Sequence, residues 1–297
     1  MIWFNHAALI LAVSISSGLA AIAQEKPATP MILIKAGEYP LGANDGPASN
    51  RPRHVVQLQA FRIDRFEVTN AQYAAFLNTL ELCIKQDRPS PGGLRPGDAN
   101  GPDATRLYRN RSGKPAYIEL DDDDAQIVVK GRKFIPVAGS ESRPVPEVTW
   151  IGAAAYCRWR GARLPTEAEW EAAARDRTDR AYPWGNAAPD SRRAVFGRDK
   201  GLTANVGSMP ASATPNGIFH MAGNMAEWTS SLVRPYPYRA GDGREDPAST
   251  GERITRGGDH TFDVEPAKLK VTFRDGYSRN PAAGHRHIGF RCAAYAR

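Results

Sequence analysis

Charge is missing from the first 23 residues, which contain no Lys, Arg, Asp or Glu. Within them Ala7 to Ile15 is apolar, and Ala21-Ile22-Ala23 has the small-x-small pattern at which signal peptidase cuts. The segment reads as a secretory signal peptide over residues 1–23, with His6 as the only basic group of its n-region. The run is too short, and too rich in Ser and Gly, for a bilayer core of about 30 Å. No later stretch is long and apolar enough to span, so stable membrane insertion is not expected. The mature chain is expected to begin at Gln24, with residues 24–30 as a linker, in the periplasm or outside the cell.

Cysteine is scarce: Cys83, Cys157 and Cys292 are the only three. In an oxidising compartment two can pair and one is left over, and the sequence alone does not choose. Long blocks of like charge are also missing, the longest being Asp121 to Asp124. The net charge of +7 is spread along the chain and reads as a solubility and weak-steering property. No nucleic-acid motif accompanies it, so no nucleic-acid partner is expected. No internal repeat is present. Gly (27) and Pro (23) are plentiful, which predicts a fold dominated by loops.

Alternating apolar and polar residues predict strands over Met31–Gly42 and Val55–Ile63. Thr69 and Gln72 form a capping box that opens a helix running to about Leu82, with Tyr73, Phe76, Leu77 and Leu80 on one face. A second helix is predicted over Val148–Arg160, ended by Gly161. Thr166 and Glu169 cap a third, through Arg175. Between the first two helices, Tyr117 to Val137 predicts a hairpin of YIEL and QIVVKGRKFIPV around the Asp run. Consecutive carboxylates splay apart, so that run reads as a solvated turn rather than a cation site. Helices on irregular antiparallel sheet make an α+β domain.

Three separated blocks carry most information: RLPTEAEWEAAAR (Arg163–Arg175), GNMAEW (Gly223–Trp228) and GFRC (Gly289–Cys292). With MILIKAGEYPLG, YPWGN and RGGD in order along the chain, they resemble the formylglycine-generating-enzyme, or sulfatase-modifying-factor, superfamily. The resemblance implies one domain over residues 31–297, a variant of the C-type lectin fold with little regular secondary structure. Residues 83–143 exceed the usual family connection and form an insertion.

The family's type enzyme binds copper(I) through two cysteines, five and ten residues past the first glycine of RGG, and oxidises a substrate cysteine with oxygen. Copper(I) requires soft thiolates. Counted from Gly257, the matching positions hold Phe262 and Ala267 (or Lys268), so formylglycine synthesis by the copper route is not expected. The resemblance also implies a Cys157–Cys292 disulfide, the loss of a second bridge at Ala174 and Val271 or Thr272, and a free Cys83. It implies calcium bound through the carbonyls of Gly223 and Met225 and the carboxylate of Glu227. The first ligand position, usually Asn or Asp, holds His220, a poor match for an oxygen-seeking cation. A second family calcium site has Val195 in place of Asn.

The replacement chemistry is therefore sought between RGGD and GFRC. Asp259, His260, Glu265 and Arg274 are the candidate catalytic residues, His260 and Glu265 for acid–base work and Arg274 for holding an anion or pairing with a structural acid. His260, His285 and His287, with Asp263 and Asp275 nearby, form a candidate transition-metal set, because His285-x-His287 places both rings on one face of a strand. Exported family members without the cysteine pair include one group that matures the siderophore pyoverdine by oxidation. The resemblance thus implies an oxidoreductase that tailors a small molecule or peptide. The alternatives are a binding module on a lectin-like fold and a formylglycine-generating oxidase. Iron sulfoxide synthases of the ergothioneine type share the domain, but their iron-binding helical part is not expected here.

Overall fold

The computed structural model describes residues 29–80, 117–120, 123–198, 202–274, 276 and 279–296. The signal peptide, most of the 83–143 insertion, Cys83, Asp121, Asp122 and Asp275 lie outside the described residues.

The first predicted strand forms as two, β1 (Met31–Ile34) and β2 (Gly37–Leu41), and so does the second, as β3 (His54–Leu58) and β4 (Phe61–Asp64). β1 pairs with β4 from Met31↔Asp64 to Ile34↔Phe61, and β2 with β3 from Gly37↔Leu58 to Leu41↔His54. The partners keep one continuous register, so this is one long hairpin bent where Gly37 takes φ +144°. A glycine there allows the bend without a Cβ penalty. The outer half gains a third strand, β10 (Ala293–Tyr295), on β4.

Helix α1 (Asn70–Thr79) begins at the expected capping box, in which the Thr69 hydroxyl accepts from the Gln72 amide and the Gln72 side chain accepts from the Thr69 amide. Its buried face is Tyr73, Ala74, Phe76 and Leu77, while Leu80 is half-buried. The hairpin that follows differs from expectation. Its strands are β5 (Ile127–Lys130) and β6 (Lys133–Pro136), closed by Gly131 at φ +61° and Arg132. The turn therefore falls inside KGRK and not at the Asp run, because a two-residue turn with a left-handed glycine matches strand twist. Ile118 instead bridges to Val148.

Helices α2 (Trp150–Trp159) and α3 (Glu167–Arg175) are capped by Thr149 and Thr166. The remaining sheet is β8 (Arg253–Arg256), β7 (Ala226–Leu232) and β9 (Ile288–Gly289), with β9 parallel to β7. The two larger of three apolar clusters lie between these pieces. One gathers α1, α2 and β9 around Tyr73, Tyr156, Trp228 and Phe290; the other gathers the bent hairpin and α3 around Tyr39, Ile63 and Trp170.

Every residue of α3 is buried, Glu167 and Glu171 included. Glu167 receives Arg274 Nε at 2.8 Å, and Arg274 and Arg244 nitrogens at 3.1 Å each. Glu171 receives Arg175 Nη1 and the Gly42 amide at 2.9 Å, and is paired with Arg256. The helix can sit in the interior because these arginines, Arg175 from the helix and the rest from other segments, neutralise its carboxylates.

Cys157 in α2 is bonded to Cys292, just before β10, with Cα atoms 5.6 Å apart and 135 positions between them in sequence. A closed loop of that length is worth up to about 5 kcal/mol in the chain-entropy account. Replacing both cysteines with serine is expected to lower unfolding free energy by about 2–5 kcal/mol in a denaturant titration. A loss under about 1 kcal/mol would show that the bond adds little to a core already fixed by packing.

Candidate functional site

The segment where the family carries its reactive residues starts as β8 ends. Gly257 and Gly258 take φ +98° and +68°. A Cβ on Gly258 would lie 2.8 Å from both the Lys268 carbonyl and Leu269 Cδ2, so only glycine fits there. The chain then folds back on itself. Asp259 Oδ1 accepts the amides of Thr261 (2.7 Å) and Phe262 (2.6 Å), and Asp263 Oδ2 accepts the Asp259 amide at 3.0 Å. Asp259 thus shapes the loop, although its buried Oδ2 has no hydrogen-bond partner among the described residues. Burial, then the charge of Asp259, pushes the Asp263 carboxyl up to about 6.

His260 is held by the GNMAEW turn. Its Nδ1 lies 2.8 Å from the Asn224 carbonyl oxygen, which can only accept, so Nδ1 carries the proton and Nε2 has the lone pair. Burial pushes the imidazole below its ordinary pKa, against the opposing pull of Asp259. It is therefore neutral at pH 7. His260 lines a small pocket of about 40 Å³ with Thr203, Thr261, Gln126, Asp124 and Arg286. The Thr203 and Thr261 hydroxyl oxygens are buried without hydrogen-bond partners among the described residues. Arg286 pairs with Asp124 at 3.0 Å. A neutral base and two hydroxyls in a space of one or two waters can receive one small polar group.

The other candidates separate. Glu265 is exposed, before a short 3-10 turn at Pro266–Leu269. Arg274 is buried and tied to Glu167 and to the Ser49 and Arg234 carbonyls, which realises the structural-acid alternative. The sequence set of four thus reduces to His260, with Asp259 as its loop-shaping neighbour. His285 and His287 lie in a turn before β9 and not in a strand, yet their ring centroids are 5.4 Å apart. Burial, then the charges of His285, His260 and Arg286, drives His287 down to about 3. Phe262, at a family cysteine position, stacks edge-on against His287 at 4.8 Å.

Neither family metal fits these residues. Copper(I) needs thiolates, and the two described cysteines are bonded to each other. For calcium, the Glu227 carboxylate already holds a cation: Arg291 donates from Nη2 at 2.5 Å and Nε at 2.7 Å, and Trp170 Nε1 donates at 2.8 Å. An ion pair therefore occupies the carboxylate expected to bind calcium with Gly223 and Met225. Val195, at the other family site, is buried and apolar. Among the described residues no three His, Cys, Asp or Glu side chains gather as a metal site, so the three-histidine set does not form one.

A buried polar network lies behind GNMAEW, which sequence reasoning missed. Asn224 Nδ2 donates to Glu67 Oε2 at 2.8 Å, and Glu67 is raised well above the usual carboxylate range by burial and then by Glu227. His220 has φ +55° and no hydrogen-bond partner for either ring nitrogen among the described residues. The Arg of GFRC was the available signal, because a buried arginine demands an acid.

The architecture is an α+β scaffold with the family blocks in place and Phe262 and Ala267 at the positions where the family thiols are expected. Residues 17–296 match the sulfatase-modifying factor enzyme 1-like domain, and the chain belongs to that family. It is 33% identical to the formylglycine-generating enzyme of Streptomyces coelicolor over 282 residues, covering 88% of both chains. It is 40% identical over 193 residues to hercynine oxygenase of Mycolicibacterium thermoresistibile, covering 64% of this chain and 40% of that one. It is 33% identical to the Mycolicibacterium smegmatis hercynine oxygenase, spanning 56% of its length. The fold is shared with Treponema denticola variable protein 1 (TM-score 0.60, 23% identity, 90% and 95% of the chains covered). It is shared also with PvdO from Pseudomonas aeruginosa (TM-score 0.57, 20% identity, 90% and 94% covered).

Burial lowers His220 to about 4, with Arg291 adding to the effect. A histidine whose folded pKa lies below its unfolded value of about 6.5 stabilises fully above that value, and the contribution is lost as pH falls toward the folded pKa. Asp263 works oppositely, since its raised pKa favours the fold on the acid side of about 6. His220→Asn, which tolerates the left-handed backbone, is expected to flatten the loss of stability between pH ~6.5 and ~4. Chemical denaturation across that range checks it; an unchanged acid limb would remove His220 from the account.

Proposed function

We propose that this chain is an exported oxidative-tailoring protein that acts on a small molecule or peptide, of the kind that matures a siderophore such as pyoverdine, without copper-thiolate chemistry. Family membership supports the oxidative class. The formylglycine-generating and hercynine-oxygenase relatives named above support it further. The observation that carries the reading is the His260 imidazole, which lines the pocket and is fixed with Nδ1 on the Asn224 carbonyl, leaving Nε2 as the basic nitrogen.

In this reading Nε2 takes the proton of a weakly acidic substrate group seated against Thr203 and Thr261. A substrate that gives up two electrons and two protons to dioxygen leaves as the oxidised product, with hydrogen peroxide as the second product. His260 handles the first proton and is neutral when it does so. Such a base contributes about 10²–10⁴-fold. Export rests on the residue 1–23 pattern.

A second reading, a binding module on the same fold, is favoured by the engagement of Arg274 with Glu167 and of Asp259 with its own loop. One set of measurements separates them. Oxygen uptake by purified protein is followed with phenolic and peptidyl siderophore precursors, together with mass spectrometry of a cysteine peptide incubated with protein and copper. Substrate-dependent oxygen uptake is expected, with kcat/KM reduced at least ~10²-fold in His260→Gln, and no formylglycine in the peptide. Binding of the precursors with no oxygen uptake would select the module. Formylglycine in the peptide would overturn the exclusion of copper chemistry.

A further inference from the structure

A second cavity lies elsewhere, shares no lining residue with the His260 pocket, and encloses about 800 Å³. It is bounded by the β3–β4 turn, the outer face of α2, the start of α3 and residues 238–247. Leu58, Trp150, Ile151, Ala154, Leu164 and Tyr295 make it mainly apolar. That volume suits a small organic ligand.

One carboxylate in it is unusual. Glu245 is half-buried, and its hydrogen-bond partners are three hydroxyls: Ser231 Oγ at 2.5 Å and Tyr238 Oη at 2.9 Å on Oε1, and Ser230 Oγ at 2.7 Å on Oε2. Among the described residues it makes no ion pair. The nearby Arg253 spends its guanidinium on the carbonyls of Ser230, Asp246 and Ser249. The other acid of the cavity, Glu169, is matched by Arg163 through two 2.6 Å contacts. Arg158, also in the lining, is exposed. Burial raises the Glu245 carboxyl above its ordinary range, as a charge short of a counter-ion should be. An acid set in an apolar wall, with Oε2 holding a single donor and no ion-pair contact among the described residues, can accept a further cation.

We propose that this cavity is a binding site for a small protonated amine with an aromatic or aliphatic body, the ammonium on Glu245 and the body against Trp150, Ile151 and Leu164. The site is independent of the reaction proposed for His260. A cation donating to a partly desolvated carboxylate is worth about 1.5–3 kcal/mol, or roughly tenfold or more in affinity.

The test is calorimetric titration of the full chain with 2-phenylethylamine, 2-phenylethanol and phenylacetate, which share one body and differ in charge. The amine is expected to bind, the alcohol at least about tenfold more weakly, and the acid not at all. Glu245→Gln should lower amine affinity about tenfold or more while leaving the alcohol unchanged. Ala154→Phe, which fills the cavity from a half-buried helix position, should abolish binding of both. Its melting curve shows whether the fold is kept, and a folded Ala154→Phe that still binds the amine overturns the site. Equal affinity for amine and alcohol, or an amine affinity unmoved by Glu245→Gln in a folded variant, overturns the assignment of the ammonium to Glu245. Absence of amine binding overturns the whole proposal.

Discussion

The pairing of Glu167 and Glu171 with arginines drawn from distant segments is the constraint on which the rest of the structure rests. Helix α3 carries two carboxylates into an interior where an unpaired charge would be prohibitive. Arg244, Arg256 and Arg274 come from three separate places in the C-terminal third, and Arg175 from the helix itself. Their arrival fixes the end of β8, from which the RGGD loop departs. It also fixes the segment after the loop, because Arg274 is anchored to Glu167. The loop bearing His260 therefore hangs between two anchored ends. Glu227 and Arg291 repeat the device one layer away, joining GNMAEW to GFRC. The sequence blocks that define the family are in large part the two ends of these buried ion pairs.

This accounts for what could be read in advance. The capped starts of α1 and α3, the buried face of α1 and the α+β class follow from local rules of capping and periodicity, so Thr69, Gln72, Thr166 and Glu169 announce the two starts. The Cys157–Cys292 bond followed from the family resemblance alone. The bent hairpin was not legible, because its alternation runs through the bend without interruption and only tertiary packing splits it. The hairpin turn at Gly131 was misplaced because four aspartates form a stronger turn signal than a lone Lys-Gly. The candidate site was half legible. His260 stood out by residue type, but the acceptor that sets its tautomer is a backbone carbonyl 36 positions away. Arg274 drew attention as an anion ligand because nothing local reveals a buried glutamate 107 positions earlier.

The shape of the RGGD loop is held by residues other than those at the expected thiol positions. The return of the RGGD loop is set by the cradle at Gly258 and by the Asp259 carboxylate, neither of which depends on the residues at 262 and 267. Phe262 fills a family thiol position and packs on His287, turning a ligand position into a wall. Arg291 holds the Glu227 carboxylate as a fixed cation and so ties two of the family blocks together.

The covalent bond between Cys157 and Cys292 encloses the end of α2, all of α3, the β7–β8 sheet and the His260 loop in one ring. A pull on the chain ends is carried from α2 to the C-terminal strand through that bond, so the enclosed part bears no tension while it stays closed. Mechanical stress on the termini would thus load the segments before Cys157 and after Cys292 before it reached the His260 loop. Reduction would transfer the same load directly onto the loop.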